Sequence, residues 1–119
     1  MLDDLANIIS LGDVNEAIAP DLASLLCKHI ISRINEFEKD IPDNMQAGGR
    51  FVSANDGFTF SIDDVCYSNP NLLVFYGQSN GCSVQLLQHI MQLNLLLVAV
   101  PRTDDLSKPR RKIGFQFPE

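Results

Sequence analysis

Positive charge is scarce in this chain, with nine Lys and Arg against fifteen Asp and Glu over 119 residues and a net charge of −6. A general phosphate-backbone binder needs clustered bases, so no nucleic-acid partner is expected. No apolar run approaches the roughly 18 residues of a membrane span, and Met1-Leu2-Asp3-Asp4 lacks the basic start of a signal peptide. No membrane partner is expected either. The three cysteines, Cys27, Cys66 and Cys82, form no C-x-x-C pair and have no histidine at zinc-finger spacing. They read as buried structural thiols of a cytoplasmic protein, and no metal site or cofactor is expected. There is no G-x-x-x-x-G-K, no G-x-G-x-x-G and no H-E-x-x-H, and the Gly48-Gly49 pair lacks the strand–helix surroundings of a phosphate loop. Internal repeats and low-complexity stretches are also missing. Most telling, no Asp, Glu, Lys or Arg occurs from Val65 to Val100.

What is present suits one globular domain over residues 1–119, with 1–18 a detachable or partner-packing N-terminal segment. The hydrophobic fraction is 45% and the charged fraction 20%, near the average for folded proteins. A domain of this size buries roughly two thirds of the surface of its unfolded chain, enough to fold without disulfides or a metal. Charge is distributed unevenly: residues 1–45 hold nine acids and three bases, residues 102–119 five bases and three acids. The two ends are suited to attract one another within one molecule or between two copies.

Leu2, Leu5, Ile8 and Ile9 repeat at helical spacing before Gly12, and Asp13 with Glu16 resembles a capping box. The strongest helix spans about 20–41. Pro20 suits its first position, Asp21 its positive end, and Leu22, Leu26, Ile30, Ile34, Phe37 and Ile41 its apolar stripe, with Pro42-Asp43 as the stop. Gly48-Gly49 then breaks the chain, and a strand begins at Arg50. After the turn signal Asn55-Asp56-Gly57, Phe58, Phe60 and Ile62 alternate as in a half-buried strand. The phase shifts at Asp63-Asp64, predicting a bulge or strand end. Ser68-Asn69-Pro70-Asn71 makes a turn, and Leu72 to Tyr76 reads as a central strand covered on both faces.

Asn80-Gly81 is a hairpin signal that sets Val74 opposite Leu87 and Phe75 opposite Leu86. Residues 83–93 also read as a helix, with Gln85, Gln88, His89 and Gln92 on one face; the hairpin is preferred because its turn residues are specific. Leu95 to Val100 predicts a buried strand ended by Pro101, and Lys112 to Phe117 a last one. The expected fold class is α+β: N-terminal helices packed on a curved, mostly antiparallel sheet of five to six strands.

The phrases Leu73-Val74-Phe75-Tyr76-Gly77, Val84-Gln85-Leu86-Leu87-Gln88-His89, Leu96-Leu97-Val98-Ala99-Val100-Pro101 and Arg110-Arg111-Lys112-Ile113-Gly114-Phe115 occur in that order. The chain resembles, over about residues 30–117, a family of small bacterial proteins known only as a domain of unknown function. The resemblance implies a compact, bacterial, cytoplasmic domain and brings no activity, cofactor or catalytic residue.

The residues themselves offer few candidates. His89 is the natural general base, with Asp63 or Asp64 as its orienter. Its plainer reading is a satisfied structural histidine. The adjacent carboxylates converge only if the strand bulges there, and otherwise serve as one solvated and one turn-forming acid. Arg33 lies one helical turn from His29 and either binds an anion or pairs with Glu36 beside Phe37. Gln85 shares the His89 face, and Arg110-Arg111-Lys112 is the one basic cluster, suited to an acidic partner or to guarding an edge strand.

Three functions compete. A non-catalytic interaction or accessory domain that self-associates, as a dimer first of all, leads because so long an uncharged stretch exceeds what one strand buries. A small enzyme or ligand-binding domain would need His89, Asp63 or Asp64 and Arg33 around one pocket. An acidic inhibitor or immunity-type protein would be steered to a basic protein partner.

Overall fold

The structure, a computed structural model, describes residues 19–51 and 58–114. The expected helix over 2–11, the Asp13–Glu16 capping box, the Asn55-Asp56-Gly57 turn and the Phe115–Phe117 part of the last strand lie outside those residues. The described chain is α+β, with one α-helix, α1 (Leu22–Glu38), and six strands.

The helix starts two residues later and ends three earlier than its sequence pattern predicts, because tertiary partners set both ends. Asp21 occupies the N-cap position without a side-chain cap bond. The first orphan donors are met instead from a distant turn: the Ala23 N–H donates to Pro70 O at 3.0 Å and the Ser24 N–H to Asn69 Oδ1 at 2.9 Å. At the other end the chain leaves the helix after Glu38, and its carbonyls turn to Arg110. The fully buried line is Ala23, Cys27, Ile34 and Glu38. Leu22, Leu26, Ile30 and Phe37 of the expected stripe flank that line and pack partly buried against the core.

The expected single sheet of five to six strands is instead two three-stranded antiparallel sheets. In the first, β1 (Met45–Phe51) lies between β2 (Thr59–Ser61) and β6 (Leu95–Pro101). In the second, β4 (Leu72–Ser79) lies between β3 (Asp64–Ser68) and β5 (Cys82–His89). The phase shift at Asp63-Asp64 marks the corner where the chain passes from one sheet to the other. There the Ile62 N–H donates to Ala47 O in one sheet and the Asp63 N–H to Tyr76 O in the other, and side chains add to these bonds. Gln78 N–H donates to Ser61 Oγ at 3.0 Å, and Ser79 Oγ donates to Thr59 O at 2.8 Å. Gly77 permits this approach, since a Cβ at that position would lie 1.5 Å from Ser61 O.

Gly48 and Gly49 do not break the chain; they sit inside β1. A Cβ on Gly48 would lie 2.7 Å from Val100 Cγ1, and one on Gly49 would lie 2.9 Å from Phe60 Cζ. Here glycine gives close packing, and its strand cost is offset by neighbours on both sides. Asn80-Gly81 does form the hairpin turn, both residues at positive φ, with Val74 opposite Leu87 and Phe75 opposite Leu86. Beyond β5 a 3₁₀ turn, Ile90–Gln92, replaces any longer helix.

Phe60, Phe75, Ile34, Ile62, Leu73, Val65 and Cys27 are the largest fully buried side chains. Each large apolar group contributes about 2 kcal/mol by leaving water. β4 is covered on both faces as expected, with Leu73, Val74 and Phe75 all buried. β6 departs from expectation. It is an outer strand with Leu96 48% exposed, because only β1 pairs with it among the described residues. Ile113 and Gly114 form a turn, Gly114 at φ +90°, where a strand from Lys112 was expected. A Cβ on Gly114 would meet Ile31 Cγ2 at 2.7 Å, so the chain bends tightly against α1 there.

Candidate functional site

A polar concavity lies where α1 ends and β1 begins. It holds about 300 Å³ and is lined in part by Glu38, Gln46, Asp63, Thr103, Arg110 and Arg111. Glu38 lies one helical turn beyond Ile34 and is therefore carried inside, 6% exposed. Its Oε2 accepts the Ala47 N–H at 2.8 Å. Burial pushes its carboxyl above the ordinary range; the Ala47 N–H and the positive charges of Arg110 and Arg102 oppose that shift without cancelling it.

Arg110 is committed to the backbone around it. Its Nε donates to Met45 O at 2.8 Å, Nη1 to Glu38 O at 2.6 Å, and Nη2 to Pro42 O at 2.7 Å and Ile41 O at 3.4 Å. The guanidinium thus gathers carbonyls at the negative end of α1 and ties them to the first residue of β1. Gln46 is saturated in the same way. Its Nε2 donates to Ile62 O at 3.2 Å and Asp63 Oδ1 at 3.0 Å, while Oε1 accepts the Thr103 N–H at 3.0 Å. Arg111 is exposed and makes one long bond, Nη2 to Asp63 O at 3.4 Å.

Arg102 organises the loop after β6. Its side chain is 3% exposed and pairs with Asp104 through Nε at 2.8 Å and Nη2 at 3.1 Å. It also donates to the carbonyls of Asp43, Asp105 and Lys108. Hydrogen bonding to Arg102 holds the Asp104 carboxyl below the usual range.

His89 stands apart from this corner. Its Nδ1 accepts the Met91 N–H at 3.0 Å, so the ring caps the 3₁₀ turn after β5. It pairs with Leu72, whereas Asp64 pairs with Tyr76 across the other side of β4. That difference is roughly 13 Å along the strand and about 10 Å across it. The structure does not bring His89 to either carboxylate. Asp64 Oδ1 accepts the Val65 N–H at 2.8 Å, and Asp63 receives Gln46. Arg33 is exposed on α1, and Gln85 is exposed on β5. Among the described residues, no three His, Cys, Asp or Glu side chains are grouped to hold a metal ion.

The thiols divide by position. Cys27 is buried and donates to Val65 O at 3.6 Å, and burial, the largest cause, pushes its pKa up to about 11. Cys66 is half-buried and also raised, chiefly by burial. Cys82, at the start of β5, is exposed, against the expectation of buried thiols. All three are free.

Sequence reasoning missed Glu38, Gln46 and Arg102. Glu38 carried a readable signal, since an acid four residues after Ile34 continues a buried line and must find a donor. Gln46 carried none, because its partners lie 16 or more residues away and are joined only by the fold. Arg102 had a near partner in Asp104, two residues on, but its bond to Asp43 O spans 59 residues.

The uncharged stretch forms the other candidate surface. β5 has one neighbour, β4, among the described residues. The two-residue turn fixes which peptide groups face outward, and along β5 they belong to Ser83, Gln85, Leu87 and His89. Leu87 is 60% exposed, and Met91 and Leu93 beyond it are also exposed. Among the described residues, no helix is long and apolar enough to cross a membrane.

No curated protein and no solved structure matches the chain. A family of unknown function does match, from residue 8 to residue 116. That span takes in the helix, both sheets and the polar corner, and the chain belongs to this family, DUF6173.

Proposed function

We propose that this chain is a non-catalytic interaction domain of the bacterial cytoplasm that self-associates, with a second copy laid along the outer edge of β5. The observation that carries the reading is the outward row of peptide groups on β5, beside Leu87, in a stretch without a single charge. Soluble proteins guard such an edge with Lys, Pro, a bulge or a covering segment. β5 contains neither Lys nor Pro. β6, an outer strand of the other sheet, ends in Pro101, which has no N–H to offer a neighbour. Antiparallel pairing of β5 with itself would be isologous, each copy giving and receiving the same residues, and would close as a dimer. Gln85 and His89 then act as pairing positions.

The commitment of Arg110, Gln46 and Asp63 to the chain's own backbone and side chains supports the non-catalytic part of this reading. The three free thiols support a reducing compartment. Sedimentation equilibrium at concentrations on the order of tens of micromolar tests the assembly, with Leu87→Lys and a chain lacking residues 1–18 run beside the full chain. A dimer weakened by Leu87→Lys is expected. A strict monomer defeats the reading, and a dimer lost only with residues 1–18 moves the interface from β5 to that segment.

A further inference from the structure

Ser79 pairs with Cys82 beside the Asn80-Gly81 turn, so Cys82, Val84, Leu86 and Gln88 turn their peptide groups toward β4. Ser83, Gln85, Leu87 and His89 turn theirs outward, and among the described residues no strand pairs with that edge. Side chains sort by the same alternation. Val84 and Leu86 pack against the core, whereas Ser83, Gln85 and Leu87 are exposed on the other face. None of these is an acid, Lys or Arg, so an identical strand laid alongside meets no like charge.

The row is also self-complementary. His89 Nδ1 accepts the Met91 N–H at 3.0 Å, which leaves the proton of the neutral ring on Nε2 as a donor. Ser83 Oγ, an acceptor, has no hydrogen bond among the described residues. Ser83 and His89 stand equally far along β5 from Leu86, as do Gln85 and Leu87. Two copies pairing antiparallel must set outward peptide groups opposite one another and keep like faces on one side. A two-fold axis at Gln85, Leu86 or Leu87 meets both conditions. With the axis at Gln85, His89 faces the turn residue Gly81 of the second copy; with the axis at Leu87, Ser83 faces Met91 in its 3₁₀ turn. The Leu86 axis gives all four outward residues an opposite residue on β5. Ser83 then faces His89, Gln85 faces Leu87, and the two Leu86 side chains meet on the core side.

We propose, resting on the β5 pairing above, that the second copy docks in this single register, with the two-fold axis at Leu86 and His89 Nε2–H donating to Ser83 Oγ of the second copy. Symmetry makes that bond twice, once at each end of the paired strands. His89 and Ser83 are thereby the residues that choose this register over its neighbours, and Leu86 joins the two cores across the axis.

Disulfide trapping in the full chain tests the register. Gln85→Cys and Leu87→Cys chains, each also carrying Cys66→Ser and Cys82→Ser, are oxidised separately and as an equal mixture. Opposite residues in such a pair have Cα atoms about 5.5 Å apart, within disulfide reach, whereas each substituted position lies about 8 Å from its own copy. The expected product is the mixed disulfide of the two variants, identified by mass. A disulfide formed by Gln85→Cys alone or by Leu87→Cys alone moves the axis and overturns the register, while the β5 pairing stands. No disulfide in variants that sediment as dimers places the contact elsewhere and overturns both, and a monomeric natural chain overturns the pairing itself. The second measurement is sedimentation of Ser83→Ala with the natural cysteines. It is expected to weaken the dimer about tenfold, because symmetry removes the bond twice, and to have no further effect in a His89→Ala background. Equal effects in both backgrounds would overturn the bond between His89 and Ser83.

Discussion

At the corner between α1 and β1, Arg110, Arg102 and Gln46 spend their donors on the chain itself, whereas across β4, β5 and β6 there is no charge to spend. Of the residues that a sequence reading nominates for binding, the corner contains Asp63, Arg110 and Arg111, and the first two prove to be structural. Arg110 holds carbonyls, Asp63 receives Gln46, and Glu38 closes the first turn of β1 through Ala47. The sheet contains few nominated residues, yet it leaves peptide groups and Leu87 facing outward. A cluster of titratable groups is therefore a poor guide to where this molecule has groups free for a partner. Unsatisfied surface is the better one, because groups already paired have little left to offer a partner.

The sharpest way to break this contrast is Arg110→Ala. It strands carbonyls of Glu38, Ile41, Pro42 and Met45, and urea unfolding should show a loss of about 3 kcal/mol. Loss of less than about 1 kcal/mol would mean that the corner does not hold the fold. Next is Glu38. Replacing it with Ala leaves the Ala47 N–H buried without an acceptor, at a cost of about 2 kcal/mol. Glu38→Gln keeps an acceptor and removes the charge.

The sign of the Glu38 effect is set by its raised pKa. At low pH both folded and unfolded chains carry the proton, and burial of the charge costs nothing. As pH rises through the ordinary value of 4.5 the unfolded chain releases its proton first, so stability falls until the folded carboxyl ionises as well. The Gln variant has no such loss. Measured by urea unfolding, its stability relative to the natural chain should grow with pH above 4.5 and then level.

On the sheet side the expectation reverses. Leu87→Lys should change the monomer's stability by less than about 0.5 kcal/mol, since the side chain is exposed. It should weaken the proposed dimer about tenfold, read by sedimentation, by placing a charge on the pairing edge. The smallest effect belongs to His89→Ala, which removes the acceptor for the Met91 N–H and should cost about 0.5 kcal/mol. His89→Asn, with an acceptor of similar reach, should restore most of it.

Local rules carried much of the architecture. Period-two alternation and the Asn80-Gly81 turn set the β4–β5 register residue for residue, because a two-residue turn leaves one pairing and the buried face leaves one phase. The Asp63-Asp64 phase shift was visible too, but its meaning was not. A strand end and a passage between sheets look alike until Ser61 and Ser79 are seen bridging to neighbouring strands. Gly48-Gly49 misled for a related reason: glycine weakens a strand locally, and only Val100 and Phe60 pressing on either side show why it belongs there.

Composition and periodicity by themselves determined that this chain folds as α+β, where its main helix and central hairpin lie, and that its middle carries no charge. Tertiary structure alone decided that the strands divide between two sheets, that Arg110 and Gln46 are fasteners, and that His89 stands far from Asp63 and Asp64. The physical reason is range. Turn chemistry and side-chain alternation act over a few residues, whereas a hydrogen-bond partner 65 residues away exists only once the chain has folded.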